Sequence, residues 1–230
     1  MKLPIRKKAL IQTERLTLKP YEVKDVEALA DLLMNQEIGK TFMVPDFQTR
    51  DQAIALGEKL VAFSCIEDTT HLEYGIYLGD QFIGFVNDCD IEGTEIEIGY
   101  VVHPDYQGHG YATEAVNAVI EDLREMGFQK VVAGFFEENK PSCRVMEKCG
   151  MRPNGVVDEE EYREFGTSVY ITSLFCSGKK MGKLSERNRI AEIRKAQAGE
   201  PVAFMEVKFA IYPAICLMVR VAHKNVPITI

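Results

Sequence analysis

The sequence predicts a mixed α/β fold, α+β in character, with a mostly antiparallel central sheet and flanking helices. Three observations carry this prediction. Residues 72–102 hold three consecutive strand periods. Residues 94–136 then read strand, helix, strand, which demands one parallel pair with a crossover. The full order is β α α β β β α β α β β, without internal repeat or low-complexity run.

Taken in order, IQTERLTLKP (11–20) alternates as a first strand and stops at Pro20. Val26, Leu29, Ala30 and Leu33 recur at helical spacing and predict a helix over 24–35. Ala53, Leu56 and Leu60 predict a second over 50–64, weakened by Gly57. LEYGIYL (72–78) and FIGFVND (82–88) form a hairpin through Gly79-Asp80-Gln81, where Gly supplies positive φ. TEIEIGYVV (94–102) is the third strand, with Ile96, Ile98 and Tyr100 on one face and Glu95, Glu97 and Gly99 on the other. Pro104 ends it. Ala115, Val116, Val119, Ile120 and Leu123 mark a helix over 110–126 that stops at Gly127. QKVVAGFF (129–136) reads as a strand, and Ser142 is placed to cap a short helix that ends before Gly150. Strands near 151–157 and 168–175, separated by an acidic turn, close the body.

Charge divides the chain. Residues 1–175 carry 17 basic and 31 acidic side chains, a balance of −14, whereas 176–230 carry 10 and 4, a balance of +6. We therefore expect two units, a body over 1–175 and an extension over 176–230. The acidic body argues against nucleic-acid binding, which shows a basic face. In the extension, 183–198 reads as a helix. Residues 202–212 and 215–222 read as strands turned at Pro213, whose apolar faces need a partner. That partner is either the body or a second subunit, giving a homodimer through the extension. The start lacks an apolar signal region, and no apolar run spans a bilayer. Six scattered cysteines without a CxxC pair read as reduced thiols of a cytoplasmic protein. Four histidines, none at ligand spacing, give no metal site.

The chemistry concentrates in Gln107-Gly108-His109-Gly110-Tyr111-Ala112, between a strand end and a helix start. A helix start leaves N–H groups unpaired at its positive end, and two glycines let backbone approach a ligand. The segment suits a phosphate or pyrophosphate. It matches neither GxGxxG nor GK[ST].

Together with NKPSCRVMEKCGM (139–151) and EIGYVVHPDYQGHGYATEA (97–115), this loop resembles the GNAT superfamily of acetyl-CoA-dependent N-acetyltransferases. The similarity spans about 11–175 and is greatest to the ribosomal-protein N-acetyltransferase branch, which also holds polyamine acetylators. It implies a GNAT fold in which strands 94–102 and 129–136 splay around acetyl-CoA, used as co-substrate. It implies that Gln107 and the N–H groups of Gly108, His109, Gly110, Tyr111, Ala112 and Thr113 hold the pyrophosphate. It further implies that Val101 and Val102 pair the pantetheine amides, and that Asn139 and Ser142 lie along that arm.

An alkylammonium acceptor must lose a proton before it attacks. Glu97 is the catalytic base that the resemblance implies, with Glu95 on the same face as the understudy. The last helix carries Met146 where many relatives carry a Tyr, so the proton donor to the thiolate stays open between Tyr100, Tyr106 and water. Cys143 and Cys149 have no His or Asp nearby in sequence, which favours direct transfer over an acyl-enzyme. The acceptor is expected to be a small-molecule or peptide amine. The alternative is an acyl-CoA-binding sensor without turnover.

Overall fold

The computed structural model describes residues 5, 8–66, 71–161 and 168–177. The extension helix and its two strands, expected over 183–222, lie outside the described residues. The chain opens with a two-strand turn: β1 (Ile11–Gln12) and β2 (Leu16–Lys19) replace the single strand expected over 11–20. The reversal is local. Thr13 exchanges bonds with Leu16, its Oγ1 accepting from the Leu16 N–H at 2.9 Å and its own N–H donating to the Leu16 carbonyl.

Three helices follow. α1 (Val26–Met34) and α3 (Arg50–Ser64) fall where helical spacing put them. Between them, α2 (Gln36–Gly39) is a single turn that sequence periodicity missed, started by Asn35 accepting from the Glu37 and Ile38 N–H groups. Gly57, read above as a weakness, is the contact between α1 and α3: a Cβ there would lie 3.2 Å from the Val26 carbonyl. Helix propensity is given up for a close crossing.

β3 (Glu73–Leu78) and β4 (Gln81–Glu92) turn at Gly79, with φ of +60°. β4 outruns its expected end because a bulge at Cys89 shifts the register against β5 (Glu95–Val102) and hides the alternation. α4 (Tyr111–Glu125), β6 (Lys130–Phe136), α5 (Lys140–Lys148), β7 (Arg152–Glu161) and β8 (Ser168–Ser177) complete the order. The sheet runs β1-β2-β3-β4-β5-β6-β8-β7, antiparallel throughout except for β5 against β6.

The sheet has a core on each face. Ile96 and Ile98 face α4 and α5, packing with Val116, Val119 and Leu123, which are fully buried. The opposite face packs Phe85 and Val101 against α1 and α3. Burial of each large side chain contributes about 1.5–3 kcal/mol, so the alternation along β5 fixes which residues meet which layer. Glu97 and Gly99 are thereby directed to the α1–α3 side.

Candidate active site

β5 and β6 are paired only through Glu95–Lys130, Ile96–Val131 and Glu97–Val132. Beyond Glu97 they part, although β5 continues to Val102 and β6 to Phe136. A small cleft of about 70 Å³ opens at this fork. Glu97 and Gly99 line it from β5, Phe135 and Phe136 from β6, and Phe42 from the loop between α2 and α3.

Backbone direction along β5 follows from two contacts. The His103 N–H bonds the Ile83 carbonyl at 2.8 Å, and a Cβ on Gly84 would run into the Val101 carbonyl. Residues 101 and 103 therefore turn their backbone to β4. By alternation Val102 turns its own toward the fork, where its carbonyl accepts from Gln107 Nε2 at 2.9 Å. Of the two residues expected to meet pantetheine, only Val102 presents backbone to the gap.

The loop after β5 carries positive φ at Gly108 (+80°) and Gly110 (+84°). A Cβ at Gly108 would meet nothing within 4 Å, so the loop face is open. The first intrahelical bond of α4 runs from the Glu114 N–H to the Gly110 carbonyl at 3.1 Å. The N–H groups of Tyr111, Ala112 and Thr113 precede it and have no intrahelical acceptor. These donors form a cradle of the kind that suits an anion.

Two residues that sequence reading missed brace the cradle. Arg15 donates to the His109 carbonyl at 2.9 Å and to Glu114 Oε2 at 2.7 Å, and lies 4.7 Å over the Tyr111 ring. Glu114 also accepts from Thr13 Oγ1 at 2.6 Å. Burial alone would raise the Glu114 carboxyl, but the bonds from Thr13 and Arg15 outweigh it and hold it below the usual carboxylate range. The partners are about a hundred positions apart in sequence, so no local pattern announces them. His109 stacks on Tyr111 with its Nδ1 at 2.8 Å from the Gln107 carbonyl. Nδ1–H is therefore the donor, and Nε2 is left to face outward.

α5 connects to both sides of the fork. Asn139 caps it, its side chain accepting from the Ser142 N–H at 3.2 Å and donating to the Thr41 carbonyl at 3.4 Å. The cap is thus Asn139 rather than Ser142, because Pro141 places Ser142 inside the first turn. The Ser142 hydroxyl instead bonds the Tyr100 hydroxyl at 2.7 Å. Burial pushes the Tyr100 phenol well above its usual range, against the lowering effect of Ser142. Tyr100 stays protonated at neutral pH, on the face opposite Glu97.

Glu95 is ion-paired to Lys130 at 2.7 Å, which ties the understudy to β6. Met146, Cys143 and Cys149 are buried against α4, and the Cys149 thiol donates to the Thr113 carbonyl at 3.6 Å. Both thiols sit in the core on the α4–α5 side. Among the described residues no group of three or more His, Cys, Asp or Glu is placed to hold a metal, and no helix is long and apolar enough to cross a membrane.

A forked parallel pair with an open N–H cradle at one end defines an acyltransferase that takes its acyl group from a coenzyme A thioester. The comparisons agree. A family model described as an acetyltransferase (GNAT) domain matches residues 15–152, and the chain belongs to this family. It is 31% identical over 155 residues to the uncharacterized N-acetyltransferase YnaD of Bacillus subtilis, covering 63% of this chain and 84% of that protein. The spermidine N-acetyltransferase from Vibrio cholerae, solved with CoA and spermine, shares the fold at a TM-score of 0.61 and 19% identity. That match covers 73% of this chain and 98% of the other. The ribosomal alpha-N-protein acetyltransferase RimL matches at 0.62 and 17% identity, over 73% and 93%. The protein is an acetyl-CoA-dependent acyltransferase with the GNAT fold.

Proposed function

We propose that the protein transfers acetyl directly from acetyl-CoA to a primary amine, with Glu97 as the base. The observation that carries this reading is the parting of β5 and β6 immediately after Glu97, beside the N–H cradle. The thioester supplies an electrophilic carbonyl carbon. Val102, Gln107 and the Gly108–Thr113 loop hold and orient its carrier. Asn139 and Ser142 fix the wall on the α5 side.

The acceptor arrives as an ammonium. Glu97 takes one proton and frees the nitrogen lone pair. A nitrogen–carbon bond forms, and the carbon–sulfur bond breaks with its electron pair leaving on sulfur. The second nitrogen proton leaves to solvent, and the thiolate takes one proton in turn. Tyr100, protonated at neutral pH and bonded to Ser142, lies on the far face of β5, so solvent is the simpler source of the sulfur's proton.

Two of the fold neighbours are named for spermidine and for protein α-amino acetylation, which supports an amine acceptor. The test is CoA-thiol release with a panel of primary amines, for wild type and Glu97→Gln. Release with wild type and its loss in the variant supports the reading. Equal release from both removes Glu97 from the mechanism. Acetyl-CoA binding with no release for any amine would leave only the sensor.

A further inference from the structure

Asn87 is the buried polar residue that nothing above uses. It is 5% exposed, and its Oδ1 is the one buried side-chain nitrogen or oxygen without a hydrogen-bond partner among the described residues. Its Nδ2 donates to the Asp88 carbonyl at 3.1 Å, which fixes the amide with Oδ1 turned the other way. Asn87 pairs across the sheet with Gly99, so their side-chain directions share the Glu97 face.

Gly99 lets three groups close directly over the strand there. A Cβ on Gly99 would lie 3.0 Å from each of Asn87 Oδ1, Cys89 Sγ and the Phe42 ring edge. Phe42, Cys89 and Gly99 line the cleft, two residues along β5 from Glu97, and Asn87 Oδ1 packs against Gly99 beside them. An amide oxygen beside a carboxylate offers acceptors and no donor. A nitrogen that brings its own N–H donors suits them well.

We propose, building on the acetyl-transfer reading, that Asn87 Oδ1 and Glu97 form the ammonium subsite over Gly99, and that this subsite selects a primary monoamine carried on an apolar body. Phe42 covers the oxygen and turns aside as the amine enters, leaving its ring against the ammonium. Once Glu97 holds the proton, a remaining N–H donates to Asn87 Oδ1 and aims the lone pair at the gap between β5 and β6. The described lining supports the monoamine. Phe42, Met43 and Phe136 offer apolar surface, and Glu97 is the single carboxylate among the described lining residues. Among the described lining residues a second ammonium finds no counter-charge.

The experiment measures steady-state kinetics with 2-phenylethylamine and with spermidine, for wild type, Asn87→Leu and Gly99→Ala, alongside each protein's thermal shift with acetyl-CoA. The expected result is turnover of 2-phenylethylamine in preference to spermidine. Asn87→Leu should raise the amine KM about tenfold or more, as loss of a charge-assisted bond implies, with the KM for acetyl-CoA and its thermal shift unchanged. Gly99→Ala, whose methyl would press on Asn87 Oδ1, Cys89 and the Phe42 ring, should raise the amine KM likewise. A purely structural role for Asn87 would move the melting temperature and leave the amine KM alone, and that result overturns the proposal. Absence of turnover with 2-phenylethylamine, or preference for spermidine, overturns it while a retained acetyl-CoA shift leaves the acyltransferase reading standing. Absence of any acetyl-CoA shift in wild type overturns both.

Discussion

Two parts of the site meet at β5 and are built from different materials. The Gln107–Thr113 cradle is backbone: two positive-φ glycines and the first N–H groups of α4, held by Arg15 and Glu114. The cleft over Gly99 is side chain: Phe42, Asn87, Cys89 and Glu97, drawn from three separate stretches of chain. On the function proposed above, the difference matches what each part recognises. A pyrophosphate has one shape in every turnover, and main-chain donors at a helix start suffice for it. An acceptor varies between relatives, and single side chains can change without disturbing the fold.

The comparison breaks most visibly at Glu97. Glu97→Gln should lower kcat/KM by about 10²–10⁴-fold, the usual worth of a positioned base, while the acetyl-CoA thermal shift stays as in wild type. If the shift fell too, the two parts would not be separable. Gly110→Val attacks the other part. Forcing a β-branched residue to φ of +84° costs about 1–3 kcal/mol of strain and pushes methyls toward the cradle. Calorimetry should show acetyl-CoA binding at least about tenfold weaker, with Glu97 chemistry persisting at saturating co-substrate.

Arg15→Ala should act more gently, raising the KM for acetyl-CoA by up to about fivefold, since an exposed pair is worth no more than about 1 kcal/mol. Its partner adds a pH signature. The folded Glu114 carboxyl lies below its ordinary value of 4.5, so the brace is fully present above that pH and is lost as pH falls through the lower folded value. The melting-temperature gap between wild type and Glu114→Gln should be constant from neutrality to about pH 4.5 and close below it. The smallest effect is expected at Glu95. Its half-exposed pair with Lys130 contributes about 0–1 kcal/mol, so Glu95→Gln should leave turnover within twofold. A large loss there would move the base from Glu97 to Glu95.

The same contrast explains what the sequence made legible. The cradle could be read because glycine spacing and helix periodicity are local, and α3 and α4 fall where their apolar stripes put them. The faces of β5 were also readable, because a period of two assigns Glu97 and Gly99 to one side without further information. Arg15, Thr13 and Glu114 were silent, since each reads locally as an exposed polar residue and gains meaning only when β2 meets α4. Asn87 was silent for another reason: an unpaired buried oxygen is a property of the packed fold, and the Cys89 bulge beside it interrupts the alternation that would have placed it. The Asn139 cap shows a smaller failure of the same kind. Asn139 and Ser142 are both good capping residues, and only the position of Pro141 inside the first turn decides between them.

The most direct test of the account is calorimetric titration of acetyl-CoA into wild type and into a Gly108→Val, Gly110→Val double variant. The account predicts saturable one-site binding by wild type and its loss in a double variant that still melts cooperatively. No binding by wild type, or equal binding by both proteins, would contradict it.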